Sequence, residues 1–129
     1  MLKKTITFED YNGKEQTEEF FFNLNEAELT ELELSEDGGL VNTIEKVVAA
    51  ENGREIIRLF KVLILSAVGI KSEDGRRFIK NDSIRDEFEQ TEAYSKLFIE
   101  LATEADKATA FVNGILPKAA LQKPEQPLP

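Results

Sequence analysis

Acid–base catalysis needs two carboxyl groups held against one substrate. Glu18-Glu19 and Glu73-Asp74 are pairs that could offer them. In a chain with 25 acidic residues, both pairs read first as solvated surface. Acyl transfer needs an activated nucleophile with a base beside it. The chain has no His and no Cys, and its Ser and Thr residues mostly stand where helix caps belong. The same two absences exclude a disulfide framework and ordinary zinc ligation. Glu73-Asp74-Gly75 with Asn81 and Asp82 resembles part of a calcium loop, but the ligand spacing of an EF-hand is missing, so a plain turn is the preferred reading. No glycine-rich stretch has the spacing that cradles a phosphate. The expectation is a protein with no catalytic residue, no cofactor and no metal: not an enzyme.

Charge narrows the partners. Over 129 residues, 25 acidic against 16 basic residues leave a net charge of −9. A binder of nucleic-acid backbone needs Lys and Arg gathered on one face. Arg76-Arg77 beside Phe78, with Lys71 and Lys80, is the one basic cluster, and it reads best as a surface ion-pair patch. The reverse idea is a small acidic inhibitor that mimics DNA, its carboxylates imitating phosphates. The run Glu26, Glu28, Glu31, Glu33, Glu36, Asp37 fits that loosely, and a solvated helix face fits it equally well. No stretch approaches the roughly 18–20 apolar residues that span a bilayer. The start, Met1 to Asp10, has no apolar signal-peptide core. Cytoplasmic residence with neither nucleic acid nor membrane as partner is expected.

The elements follow from periodicity and punctuation. Ile6 and Phe8 alternate with polar residues, Thr17 to Phe22 is rich in β-formers, and Tyr11-Asn12-Gly13 lies between them. The spacing predicts a hairpin over residues 4–23. A two-residue Asn12-Gly13 turn would put Ile6 and Phe8 on the face of Glu19. A three-residue loop with Gly13 left-handed pairs Asp10 with Lys14 and puts Ile6 and Phe8 on the face of Phe20 and Phe22. The second register is preferred, because a one-residue slip turns every side chain over. Phe21 then points away from that cluster.

Beyond Asn23 the pattern is helical. Asn25 to Glu28 forms a capping box for a short helix to about Leu34. Gly38-Gly39 breaks it, and a second helix is expected over about 40–51. A third, over 54–68, is apolar nearly all round, is stopped by Gly69, and reads as a central helix buried on every side. A loop follows in which Asp74-Gly75 could turn a second small hairpin. A short helix then opens at Ser83 and runs to about Gln90. Thr91 caps a longer one, with Tyr94, Leu97, Phe98 and Leu101 in helical spacing, and a last helix covers about 105–115. The four prolines, Pro117, Pro124, Pro127 and Pro129, all fall in the last 13 residues. The fold expected is therefore mainly α: a compact helical domain over 1–117 with an N-terminal β-hairpin, then a flexible Pro-rich tail over 118–129.

The order of these stretches resembles the tail assembly chaperones of long-tailed (siphovirus-type) bacteriophages and of prophages of Gram-positive hosts. Thr5 to Gly13 and Glu18 to Asn25 carry the resemblance first. Leu29 to Leu34 leading to Gly38-Gly39-Leu40, Gly53 to Ile57 and Ser72 to Lys80 follow. Phe88 to Ser95, Leu97-Phe98, Glu100 to Thr103 and Phe111 to Pro117 complete it. No single piece is a chemical motif; the specificity lies in their order over about residues 4–117.

The resemblance implies a non-enzymatic protein of the bacterial host's cytoplasm. It would coat the long apolar tape measure protein, keep it soluble until the tail tube polymerises, and be absent from the mature virion. A longer form made by ribosomal frameshifting would recruit the tail tube protein. The family supplies no residue-level binding map that transfers here. The candidate partner-binding residues are therefore physical ones: Phe21, with Phe78 and Ile79 of the later loop. Apolar surface left over after the core is filled would also suit a homo-oligomer.

Overall fold

A computed structural model of the chain describes residues 1–35, 39, 42 and 53–117. Strands β1 (Leu2–Glu9) and β2 (Glu15–Phe22) pair antiparallel, with Phe8 opposite Gln16 and Glu9 opposite Glu15. This is the register of the three-residue loop. Gly13 sits at φ +79°, which a residue without Cβ adopts freely. Ile6, Phe8 and Phe22 are buried and Phe20 partly so, all on one face as the alternation predicts.

The expectation of a mainly α fold is overturned. Strands β3 (Val68–Lys71) and β4 (Phe78–Ile79) extend the hairpin into a four-stranded antiparallel sheet, in the order β1-β2-β3-β4. Among the described residues five helices accompany it: α1 (Glu26–Ser35), α2 (Gly53–Ala67), α3 (Asp82–Glu89), α4 (Glu92–Thr103) and α5 (Ala105–Ile115). The fold is α+β.

The cause lies at the end of α2. The apolar run continues past Ala67 without a break, so local pattern extends the helix. The edge of β2 captures it instead. The Asn23 N–H donates to the Ala67 carbonyl at 2.9 Å, and Val68 and Gly69 then pair with Phe22 and Phe21. Gly69 is thus a strand residue and not a helix stop. A Cβ there would lie 2.6 Å from Cε2 of Phe78 and 2.8 Å from the Ile79 carbonyl, so β4 packs against a bare backbone. The Asp74-Gly75 turn does close the second hairpin, with Gly75 at φ +75° and the Ser72 N–H donating to the Arg77 carbonyl at 2.9 Å.

Helix α2 also departs from its expectation. It buries Leu59, Phe60, Leu63, Ile64 and Ala67, a stripe on one face. Ile57 is 52% exposed and Val62 38% exposed, so the helix is not buried on every side. The other helices follow their caps. The Asn25 N–H donates to Oε1 of Glu28 at 3.0 Å while Oδ1 of Asn25 accepts from the Glu28 N–H at 2.8 Å, a reciprocal capping box. Oδ1 of Asn81 accepts from the Ile84 N–H and Oγ1 of Thr91 from the Tyr94 N–H. Helix α5 buries Ala108, Phe111, Val112 and Ile115. The helix expected over 40–51 and the tail over 118–129 lie outside the described residues.

The core gathers on one face of the sheet. Phe22 meets Phe88 and Phe111 with ring centroids 5.6 and 5.4 Å apart, both edge-on. Phe88 continues to Tyr94 at 5.8 Å. Contacts of this geometry add about 0.5–1.5 kcal/mol each to the burial itself. The opposite face of the hairpin carries exposed Lys3, Thr5, Thr7, Glu15, Thr17 and Glu19. Helix α4 ties itself to β1 through Lys96, whose Nζ donates to the Thr7 carbonyl at 2.6 Å, and through the Lys4–Glu100 ion pair at 3.1 Å.

Candidate partner-binding site

Cross-strand neighbours share a face of a sheet. Phe21 stands opposite Gly69, and Phe78 opposite Lys71, so both aromatic residues belong to the outer face, away from the core. Both are half-buried. Gly69 lies between them, its missing side chain filled by the Phe78 ring. Nζ of Lys71 stands 5.9 Å from the centroid of Phe21, and Nζ of Lys80 stands 5.7 Å from that of Phe78. Ile79 is opposite Ile70 and so belongs to the other face. The structure therefore brings Phe21 and Phe78 together and separates Ile79 from them.

An apolar opening beside these residues comes from strand geometry. Strands β2 and β3 pair only through Phe21–Gly69 and Phe22–Val68, then part. A cleft of about 410 Å³ occupies the gap. Phe20, Phe21, Ile70, Ile84 and Phe88 line it, with Glu18, Glu19 and Glu87 exposed around it. Ile70 is 53% exposed. Phe78 and Ile79 do not line this cleft; they belong to the neighbouring hairpin. Sequence reasoning missed Ile70, Ile84 and Phe88. Ile84 and Phe88 are four residues apart on α3, and that helical spacing is the signal that pairs them.

The remaining sequence candidates resolve into structural roles. Glu18 and Glu19 are consecutive strand residues and point to opposite faces, so they cannot act on one substrate atom. Glu19 pairs with Lys3 at 2.9 Å. Asp74 holds its turn: its Oδ1 accepts from the Ser72 hydroxyl at 2.6 Å and from the Arg76 N–H at 3.0 Å. Those bonds, the hydroxyl first, hold its carboxyl below the usual range. Among the described residues, no group of acidic side chains is arranged to hold a metal ion. Within the basic cluster, Lys80 turns inward. Its Nζ donates to the Asn23 carbonyl at 2.6 Å, the Ser66 carbonyl at 2.8 Å and Oε2 of Glu28 at 2.7 Å. Lys80 thus joins the ends of β2 and α2 to helix α1. Glu28 is thereby removed from the outward acidic run, and Glu36 and Asp37 lie outside the described residues. Within the described part of that run, the row of carboxylates is interrupted at Glu28.

Two tyrosines are displaced upward. The Tyr11 hydroxyl donates to Glu92 at 3.0 Å, which raises its pKa, and burial followed by the charge of Glu89 raises that of Tyr94. Both stay protonated at neutral pH; Tyr11 serves as a donor and Tyr94 as a packing surface between Phe88 and Phe98.

Apolar surface and carboxylate charge are what this α+β domain presents among its described residues, which is the equipment of a binding module. The chain belongs to a family of phage tail assembly chaperones: the family model described as "Phage tail assembly chaperone" matches residues 1–127. The match runs past Pro117, where the motifs that carry the resemblance end. No curated protein and no solved structure matches the chain. Among the described residues, no helix is long and apolar enough to cross a membrane.

Proposed function

We propose that this chain acts, without catalysis, by binding the tape measure protein and keeping it soluble in the host cytoplasm until tail tube subunits polymerise around it. It then leaves, so that the finished virion lacks it. A longer frameshifted form would bring in the tail tube protein. Self-association through the same apolar surface is compatible with this role.

One observation carries the reading. An apolar opening at Phe20, Phe21 and Ile70 stands on a chain whose net charge is −9. A client that exposes apolar helices needs complementary apolar anchors. A coated complex needs like-charge repulsion to stay dispersed. Release requires weak single contacts, and many copies on one client supply avidity through high local concentration.

Co-expression with the tape measure protein of the same phage or prophage tests it. The tape measure protein should move from the insoluble to the soluble fraction and co-purify with this chain, with light scattering giving the stoichiometry. An insoluble tape measure protein that never co-purifies would refute the reading.

A further inference from the structure

We propose that the cleft between β2 and β3 is an anchor site for a bulky apolar side chain that has Lys or Arg beside it on the partner segment. This rests on the chaperone reading and names the part of the client that the site grips.

The shape argues for a side-chain anchor. The Asn23 N–H points at Ala67, so Phe21, two residues back, points its main-chain groups at Gly69. The same alternation aims those of Glu19 into the gap, where the pairing with β3 has ended. The walls behind are firm. Phe20 and Phe88 meet with ring centroids 5.0 Å apart, and Phe88 is 4% exposed. A volume of about 410 Å³ has room for bulky side chains and not for a whole helix.

The charge argues for the flank. Glu19 is paired with Lys3, and Lys71, which also lines the cleft over the Phe21 ring, keeps its positive charge, so the carboxylates of Glu18 and Glu87 outnumber it two to one. Glu18 and Glu87 make no ion pair among the described residues. Two uncommitted carboxylates beside an apolar opening favour a cationic neighbour of the anchor and repel an anionic one. Each such site is weak alone, and recurrence of apolar-basic segments along a client gives the avidity that coating requires.

The test titrates the ¹⁵N-labelled full chain with two synthetic peptides of equal length. Each carries one Phe, flanked by Lys in one and by Glu in the other. A soluble tape measure fragment is the third probe. The Lys-flanked peptide should bind about tenfold more tightly than the Glu-flanked one, a difference of about 1.4 kcal/mol, with amide shifts at Phe20, Phe21, Ile70 and Ile84. The double variant Glu18→Lys/Glu87→Lys should reverse the preference. Ile70→Asp, at an exposed position, should abolish binding while the melting temperature stays close to that of the parent.

Equal binding of the two peptides, or shifts on another surface, would overturn the proposal. So would shifts at the cleft that grow with protein concentration alone, because a second copy would then be the occupant. If both variants hold the tape measure fragment as tightly as the parent, the cleft is wrong and the chaperone reading stands. If the Lys-flanked peptide binds there and no tape measure fragment does, the cleft stands and the chaperone reading falls.

Discussion

Asp10 gathers three donors around one carboxylate. The Gln16 amide donates at 2.8 Å, the Lys14 N–H at 3.0 Å and the Asn12 N–H at 2.8 Å. Together they hold its pKa below the ordinary 3.8, the Gln16 bond contributing most. A carboxyl lowered by folding stabilises the folded state fully above its unfolded value, and that stabilisation is lost as pH falls through the lowered value. The Tyr11–Gly13 turn should therefore loosen in strong acid, and Asp10→Asn should remove that pH dependence. An NMR titration of the Asp10 carboxyl and the Lys14 amide checks this; a midpoint at or above the ordinary value would contradict it. Gly69 gives a second prediction at this scale. Gly69→Ala puts a Cβ 2.6 Å from the Phe78 ring and 2.8 Å from a carbonyl, so it should cost about 1–3 kcal/mol in a denaturant melt. The two residues differ in legibility. The loop of Asp10 was readable from Asn12-Gly13 and the alternation around it. Gly69 was not, because its role depends on Phe78 arriving from another part of the chain.

The hairpin register was legible because one slip would have exposed Phe20 and Phe22 to water, and helix α5 was legible because Ala108, Phe111, Val112 and Ile115 recur at helical spacing. Strand β3 was not legible. Val68 to Lys71 follows an unbroken apolar helix, and only pairing with Phe21 and Phe22, more than forty residues upstream, makes it a strand. The circumference of α2 departs from its sequence pattern for a related reason. A helix can be apolar all round in sequence and still bury one stripe, since apolar surface also remains on folded exteriors. Neighbouring positions on α2 separate these cases. Leu63, 1% exposed, should not accept a charge: Leu63→Asp should lower stability by at least about 3 kcal/mol and unfold the domain. Val62→Glu, at a position 38% exposed, should stay within about 0.5 kcal/mol of the parent. Circular dichroism melts of the two variants check the pair; equal destabilisation would mean that α2 is enclosed on both sides.

Over the whole molecule, one sheet face is committed to the core and the other is left polar except around Phe21 and Phe78. That division lets a binding residue be changed without dismantling the fold, and Phe21 is where it can be tested. Its side chain is half-buried, on the outer face, with Lys71 over its ring. Removing the ring gives up that contact and some apolar burial, about 1–2 kcal/mol together. For a domain of this size the melting temperature should fall by several degrees. The client side should suffer more. A carboxylate at position 21 adds to Glu18 and Glu87 at an opening that must accept an apolar group, so each copy on the client would lose its anchor, and the losses multiply along a multivalent complex. Phe21→Asp should therefore leave a folded protein that no longer raises the soluble yield of tape measure protein on co-expression. Phe21→Leu, which keeps the apolar character, should retain most of it. If Phe21→Asp instead melts far below the parent, Phe21 serves the core and the outer face is not where the client binds.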